Sequence, residues 1–282
     1  MRIALTAFPE RYDLTQRPTA APAAVQDAHR QTHFLLGTEL ALFEQAMNLQ
    51  IDIVAANAKG ASARSPQAAA LLGLWSRVFS YLADACTLMS RGSYASCPPL
   101  LRTACDCVAA QRSLLTDQFA DYLEWLPAAL GQDRQHTALA IELGRFRAGS
   151  VLAQDERLGT VYRFLTDLSM PHFGATTLQT APDSNLQNLR LAFADCAFHL
   201  GWAELVLGWL LTLAGAQLET SLGAGLFSIS DEARATYEHL QEDLRAAAAN
   251  PRRCHAEELP DGRRLLHNFR RAGSGAPRRL VL

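Results

Sequence analysis

Residues Leu71–Leu115 read LLGLWSRVFSYLADACTLMSRGSYASCPPLLRTACDCVAAQRSLL. Apolar residues recur at three- and four-residue steps on both sides of a turn at Gly92, so the stretch predicts two helices. Each run also holds charge, with Asp84 in the first and Arg102 and Asp106 in the second. Burying a carboxylate is costly unless a cation or several hydrogen bonds offset the cost. We therefore expect these positions to form either a packed polar network or a site.

The rest of the chain shows the same helical periodicity, and we find neither an alternating strand pattern nor a repeat of fixed period. Ser65-Pro66 is a typical helix start, and Ser230 is a second strong capping residue. The predicted helices span about residues 23–57, 65–91, 98–115, 117–126, 137–154, 155–169, 185–216 and 230–249. The predicted fold class is therefore all-α, an antiparallel helical bundle with a disordered basic C-terminal tail.

Length and composition predict one helical domain with a loose segment at each end. The chain has 282 residues, of which 49% are hydrophobic, and its net charge is −2. We expect residues 1–22 to be a flexible arm, residues 23–249 to be a single helical domain and residues 250–282 to be a disordered Arg-rich tail. The tail carries eight arginines against three acidic residues. It could bind nucleic acid or an acidic partner through charge, or it could simply aid solubility.

The cysteines and the apolar runs indicate a cytoplasmic protein. Most of the six cysteines lie in apolar segments that are predicted to be helical, which is typical of reduced core residues. We predict no metal site. No secretory signal is recognisable at the start of the chain. Leu200–Leu218 is nearly long enough to span a bilayer, but charged residues precede it in the same predicted helix, and we expect a buried core helix and no membrane contact.

Familiar catalytic motifs are not found in the sequence. It has no Gly-rich phosphate loop, nucleophile elbow, HExxH motif or di-iron helix pattern, so we predict no cofactor and leave open whether the protein is an enzyme.

Two further polar positions lie near the predicted core. Asp195 and His199 are four residues apart in the most apolar helix, so the carboxylate could orient the imidazole, or both could belong to a core network. His172 follows a predicted helix end, where a binding residue or a plain surface histidine would both be ordinary.

A last candidate pair lies on the final amphipathic helix. Arg234 and His239 form an Arg-x4-His pattern, which in a ribonuclease could activate a ribose hydroxyl and stabilise the phosphate. Two fixed residues also recur by chance in many sequences. We therefore assign a catalytic role to this pair only under a ribonuclease hypothesis.

Several of these residues resemble a known pattern. A Pro-Leu-Leu-Arg motif ends at Arg102 and is followed by Asp106, then by Tyr162, a Leu-Ser pair at Ser169, and His172. This arrangement resembles uncharacterised bacterial all-helical proteins that are distantly similar to the HEPN (higher eukaryotes and prokaryotes nucleotide-binding) group. The resemblance covers roughly residues 65–215. It implies a helical bundle, often a homodimer, with RNA cleavage linked to phage defence or toxin activity in some members.

Two functions follow as main hypotheses, beside a scaffolding protein that would use only its apolar faces and its tail. The first is a non-enzymatic module that binds a small ligand or a protein partner at a polar pocket. The polar network that bounds the pocket would comprise Asp84, Arg102, Asp106, His172, Asp195 and His199. This hypothesis predicts that Asp84, Arg102, Asp106 and Asp195 converge in space. The second is a HEPN-like ribonuclease that uses Arg234 and His239 from one groove.

Overall fold

The computed structural model describes residues 7–58, 65–115, 130–133, 138–141, 149–185, 187–223, 225–271 and 278–282. Within these ranges the chain is mostly helical, which confirms the predicted predominance of helix. The helices are α1 (Ala23–Leu35), α2 (Gly37–Asn57), α3 (Pro66–Ser90), α4 (Cys97–Leu114), α5 (Gly149–Gln154), α6 (Glu156–Ser169), α7 (Phe173–Thr180), α8 (Leu200–Gly223) and α9 (Asp231–Ala248). The strands are β1 (Leu130–Asp133), β2 (Ala138–Ile141), β3 (His255–Glu258), β4 (Arg264–His267) and β5 (Leu280–Val281).

The predicted pair of helices around Gly92 is present as α3 and α4. Ser65 caps α3 by accepting a hydrogen bond from the backbone N–H of Ala68, as its capping sequence predicts. Gly92 has a φ of 75°, and a Cβ there would stand 2.2 Å from the carbonyl oxygen of Cys196. Only glycine fits both the backbone conformation and the available space. The turn after α3 therefore lets the backbone at Cys196, just before α8, pack directly against Gly92.

Helix α8 is the central element of the core. It packs against α2, α3, α4 and α9, and most of its residues are buried. Among the described helices it alone is long and apolar enough to cross a membrane, and 78% of its most apolar window is buried in the structure. All-round burial explains why its sequence is apolar on every face rather than on one stripe.

The C-terminal region corrects the prediction of a disordered tail. Strands β3, β4 and β5 form a three-stranded antiparallel sheet in that order, with Ala256 opposite Leu266 and Leu266 opposite Leu280. Leu266 and Phe269 are fully buried against the helices. The prediction was wrong because an Arg-rich composition is typical of solvent-exposed, disordered segments. In the structure the arginines instead pair with carboxylates of the helical domain.

Ion pairs attach this sheet and its flanking residues to the helical domain at four places. The pairs are Arg253 with Glu39, Arg264 with Asp167, Arg271 with Asp183 and Asp195, and Glu258 with Arg163. We call residues 253–271, which these pairs and the buried Phe269 hold in place, the C-terminal clasp. The clasp reaches partners that lie far away in the sequence.

Three other predictions of secondary structure need correction. The predicted helix over 137–154 is replaced at Ala138–Ile141 by strand β2, which pairs with β1, and of the described residues in this range Gly149–Gln154 are helical. The predicted helix over 185–216 begins only at Leu200, because His199 caps it and Arg271 bonds to the loop before it. The predicted helix over 23–57 is divided at Leu36. The predicted helix over 117–126 lies outside the described residues.

The described part of the N-terminal arm has no helix or strand, yet it is anchored to the helices around Tyr12, where Thr15 also hydrogen-bonds to Thr87 and His29. Tyr12 forms two backbone hydrogen bonds with the side-chain amide of Asn48, and its ring packs edge-on against Phe43 and Phe79. The arm is therefore attached to the core at Tyr12, between α2 and α3.

Candidate binding site

The predicted pair Arg102 and Asp106 lies between α4 and α6. Arg102 donates from Nη2 to the hydroxyl of Tyr162 (3.1 Å) and from Nε to the hydroxyl of Thr166 (3.2 Å), and its guanidinium lies over the Tyr162 ring. The carboxylate of Asp106 is 3.8 Å from Arg102, and partial burial raises its pKa. Both side chains are 37% exposed. The arrangement therefore ties α4 to α6, with Nε and Nη2 of Arg102 engaged within the protein.

His199 is a buried helix cap rather than half of a catalytic pair. Its Nδ1 accepts a hydrogen bond from the backbone N–H of Trp202, and its ring packs against Phe269. Burial, together with the nearby cations Arg271 and Arg278, lowers its pKa to about 4. The imidazole is therefore neutral near pH 7, and because Nδ1 accepts, its proton lies on Nε2.

Asp195 does not share a helix face with His199, which corrects that prediction. It lies in the loop before α8 and pairs with Arg271 at 3.0 Å. Its carboxylate also accepts the backbone N–H of Ala197. Asp195 therefore stabilises the loop and is partnered by the C-terminal clasp.

The other predicted site residues are at the surface. Asp84 is exposed because the neighbouring Ala85 and Cys86 take the buried face of α3. His172 is exposed at the start of α7. Arg234 and His239 are exposed on α9, five residues apart and so on different sides of the helix, and His239 lies 3.9 Å from the carboxylate of Asp243.

The predicted residues thus fall into separate environments. Within the described ranges, no hydrogen bond or ion pair joins Arg102 and Asp106 to Asp195 and His199. Nor do three His, Cys, Asp or Glu side chains come together there in a way that could hold a metal ion. The residues expected to form one polar pocket therefore form two separate structural contacts. One is around Arg102 and Asp106, and the other is around Asp195 and His199.

A cavity of about 310 Å³ lies over α8, between α6 and α9, at a place that the sequence did not indicate. We call it the first cavity. Its volume is within the range of small-molecule sites, which is roughly 300 to 1,000 Å³. Its lining combines apolar and small side chains with two arginines and one amide: Arg157, Leu211, Thr212, Gly215, Gln241, Leu244, Arg245, Ala248 and Ala249.

Gln241 is the unusual residue of this lining. It is 4% exposed, and its Nε2 donates to the carbonyl oxygen of Gly215 at 2.8 Å, which fixes the orientation of the amide. Its Oε1 is buried, and no donor within the described ranges reaches it. A buried acceptor without a donor costs about 1 to 3 kcal/mol, so its presence needs an explanation.

The charges at the first cavity favour an anion. Arg157 and Arg245 are both exposed at its edge. Arg157 lies 3.6 Å from Glu219, whereas no ion pair of Arg245 is found within the described ranges. Arg245 therefore offers a guanidinium that could bind a carboxylate in the mouth of the cavity.

A second cavity of about 140 Å³ adjoins the first, since Thr212 and Ala248 line both. Its helical wall is apolar and comes from Val161, Phe164, Leu205, Gly208, Trp209 and their neighbours. Its other wall is the C-terminal clasp, where Glu258 and Arg264 are already paired with Arg163 and Asp167. We call the two neighbouring cavities together the groove, and the clasp forms one wall of it.

The groove follows one face of α8. Leu205, Gly208, Thr212 and Gly215 are spaced by three, four and three residues, which places them in one line about 15 Å long. No heavy atom lies within 4 Å of a Cβ built on Gly208, so the groove is open there. The spacing of these small residues was the available sequence signal, but small residues in a core helix usually mark close packing, so the signal was ambiguous.

Comparison with known proteins does not place the chain in a family. No family model, curated protein or solved structure is significantly similar to it. The resemblance to HEPN proteins therefore stays a prediction, and the function must be argued from the groove itself.

Proposed function

We propose that this protein is a non-enzymatic binding module, an antiparallel helical bundle that takes a small amphipathic anion in the first cavity. The observation that carries the proposal is the buried Oε1 of Gln241, which lacks a donor in the wall of a ligand-sized cavity. A bound molecule with an N–H or O–H group would satisfy it. Because Oε1 is buried, a turn of the terminal amide torsion, which is soft, would have to bring it to the cavity surface, and that turn would weaken the bond from Nε2 to Gly215.

The surroundings of Gln241 support the same ligand class. Leu211, Leu244 and Ala248 supply an apolar floor, where burying ligand surface is favourable. Arg245 and Arg157 supply positive charge at the open side. A ligand with an apolar body and one carboxylate matches both surfaces, whereas a highly charged ligand would leave the floor unused.

The proposal can be tested by calorimetric titration of the full chain with decanoate and with 4-phenylbutyrate, one linear and one compact acid. We expect saturable binding of at least one acid, weakened about tenfold or more by Arg245→Glu, because the charged contact is replaced by repulsion. Arg252→Glu is the matched control, since Arg252 is exposed and lines neither cavity. Absence of binding by both acids, or equal weakening by the two variants, would overturn the proposal.

The ribonuclease alternative remains a prediction. Arg234 and His239 are accessible on α9 but are not brought together within one chain. The alternative requires a groove shared with a second copy, and incubation of the protein with mixed RNA would test it. Cleavage that His239→Ala abolishes would support it, whereas no cleavage or unchanged cleavage would reject it.

Other expected properties also remain proposals: cytoplasmic location, a homodimer, and nucleic-acid binding by the Arg-rich segment. The last has the least support, because Arg253, Arg264 and Arg271 bind carboxylates of the same chain. An arginine that is already paired contributes less to phosphate binding than a free one.

A further inference from the structure

We infer that residues 188–193, which we call the outer segment, form an unpaired extended edge that binds the same edge of a second copy of this chain. The outer segment lies between α7 and α8 and lines neither the first nor the second cavity. It is also separate from α9, where the ribonuclease alternative would need its second copy. Dimerisation through this edge and acid binding in the first cavity are therefore measured independently, and either can fail alone.

The outer segment exposes three apolar side chains at alternate positions. Leu189 is 66% exposed, Leu191 is 71% exposed and Phe193 is fully exposed. The chain has neither a turn nor a bend from Asn188 to Ala192, and the side chains of an extended chain alternate between two faces. The three apolar side chains therefore share one face, which is open to solvent. A row of exposed apolar side chains on a folded protein marks an interaction surface.

The backbone of the outer segment is hydrogen-bonded on one side. The N–H of Arg190 donates to Oγ of Ser184 at 2.9 Å, and the N–H of Ala192 donates to the carbonyl oxygen of Thr180, at the end of α7, at 2.7 Å. Within the described ranges, the N–H groups of the three apolar residues have no hydrogen-bond partner. These residues therefore leave a row of backbone N–H and C=O groups along the outer side, as an unpaired sheet edge does.

Two arginines of the C-terminal region hold the backbone on both flanks of the outer segment. Before it, Arg278 donates to the carbonyl oxygens of Pro182 at 2.8 Å and Ser184 at 3.2 Å. After it, Arg271 lies 3.0 Å from the carboxylate of Asp195. Because the flanks are fixed before a partner arrives, pairing costs less conformational entropy than the ordering of a free loop would cost.

A second copy fits this edge in an antiparallel register with the two-fold axis at Leu191. Leu191 then lies opposite its own counterpart, and Leu189 lies opposite Phe193 of the second copy. Opposite residues whose backbone groups point toward each other exchange both N–H···O=C bonds. Each apolar side chain meets another apolar side chain across the axis, and Arg190 lies opposite Ala192. The edge is therefore complementary to itself, as a two-fold interface requires.

Other arrangements of the same edge are poorer. An axis two residues earlier or later would place Leu191 opposite Gln187 or opposite Asp195. A parallel pair in register would bring the two copies of Arg190 side by side, and like charges at neighbouring positions are destabilising. Since the inner side of the segment is already bonded within the chain, pairing stops at two copies.

Sedimentation velocity of the full chain over a range of concentrations tests the dimer. We expect reversible dimerisation, weakened about tenfold or more by Phe193→Ser, because the interface loses an apolar side chain from each copy. Phe34→Ser is the matched control, since Phe34 is 84% exposed but lies on α1. A natural protein that stays monomeric, or equal weakening by the two variants, would overturn the proposal.

Leu191→Pro tests the backbone hydrogen bonds separately from the side chains. Proline keeps the position apolar, favours an extended residue before it and removes the N–H that would donate across the axis. We expect the dimer to weaken about tenfold or more, because each copy loses one hydrogen bond at the axis. The circular dichroism spectrum of the monomer should not change. A dimer of unchanged affinity would overturn the backbone pairing.

Cysteine cross-linking tests the register. Opposite residues that exchange hydrogen bonds have Cα atoms about 5.5 Å apart, which is within reach of a disulfide. The two copies of residue 189 would be about 14 Å apart, since each lies two residues from the axis. Leu191→Cys should therefore give a disulfide-linked dimer on mild oxidation, and Leu189→Cys is the matched control that should not. Failure of Leu191→Cys to exceed Leu189→Cys would overturn the register.

An anionic membrane surface is the competing partner, because it also accepts exposed leucine and phenylalanine side chains beside an arginine. Cosedimentation with phosphatidylserine vesicles distinguishes the two. We expect no binding of vesicles, since the dimer covers the apolar row. Vesicle binding that Phe193→Ser abolishes, by a protein that is monomeric in solution, would overturn the proposal in favour of the membrane.

Discussion

The two sides of α8 are covered by different chemistry. Toward α4 the contact is largely apolar and its central polar feature is an amide pair, in which Gln111 and Gln217 each donate to the other at 2.7 and 2.9 Å with both side chains almost fully buried. At the end of α4, Arg112 also donates to the hydroxyl of Thr220. Toward the C-terminal clasp, Leu266 and Phe269 supply the apolar contact and arginine–carboxylate pairs surround it. The difference shows that an Arg-rich segment can be folded when its charges meet acidic partners.

The largest expected effect tests whether the apolar residues of the clasp, rather than its ion pairs, hold it. Phe269 is fully buried and packs against His199 and Trp202. Phe269→Ala should lower the free energy of unfolding by about 4 kcal/mol, because it leaves a cavity under the clasp. Denaturant unfolding would measure the loss. The control Val281→Ala changes an exposed strand residue and should cost less than about 0.5 kcal/mol; equal losses would contradict the prediction.

The second prediction concerns pH at the junction of α8 and the clasp. His199 has a pKa lowered from 6.5 to about 4, so the unfolded chain binds its proton more readily than the folded one. The contribution of the neutral His199 to the free energy of unfolding is complete above pH 6.5. It is lost as the pH falls toward 4, by up to about 3 kcal/mol.

His199→Asn separates the titration from the capping. Asparagine can still accept the backbone N–H of Trp202, but it does not titrate. We expect the variant to lose less stability than the natural protein between pH 6.5 and pH 4, as measured by denaturant unfolding at both values. Parallel pH curves for the two proteins would contradict the role of His199.

The third prediction concerns the amide pair on the opposite side of α8, which a single substitution would break. Gln217→Leu leaves the buried amide of Gln111 without its partner and should cost about 2 kcal/mol of unfolding free energy. The double variant Gln111→Leu with Gln217→Leu should cost less than the sum of the single variants, because no amide is left unpaired. Strict additivity of the two changes would show that the pair is not coupled.

The smallest effect is expected for an exposed ion pair of the clasp. Arg163 and Glu258 lie 2.6 Å apart, but their side chains are 46% and 32% exposed. Arg163→Gln should therefore cost less than about 1 kcal/mol, and the cost should fall further at high salt. A loss comparable to that of Phe269→Ala would mean that charge, not apolar burial, holds the clasp.

Local signals in the sequence predicted the helices well where a cap and a clear stripe coincide. Ser65, Asp155 and Ser230 each cap a helix near the predicted start. The clasp was missed because its partners are distant: Arg253 binds Glu39, 214 residues away, and no local pattern contains that information. Composition alone therefore suggested disorder.

The candidate site was missed for a related reason. The sequence draws attention to charges in apolar text, such as Arg102 and Asp195, but in the fold these charges pair with Tyr162 and Arg271. The groove is instead made by the open space at Gly208 and by the close approach of Gln241, from another helix, to Gly215. Such a site arises from how helices are arranged, which periodicity does not specify.

The apolar character of α8 also has a consequence for the order of events during translation. When α8 leaves the ribosome, α2, α3 and α4 have already been synthesised and can cover most of its surface. The face under Phe269 stays uncovered until the last part of the chain follows. A ribosome that stalls between α9 and β4 therefore holds a nascent chain in which this apolar surface of α8 is exposed. A chaperone or a protease would recognise that form first.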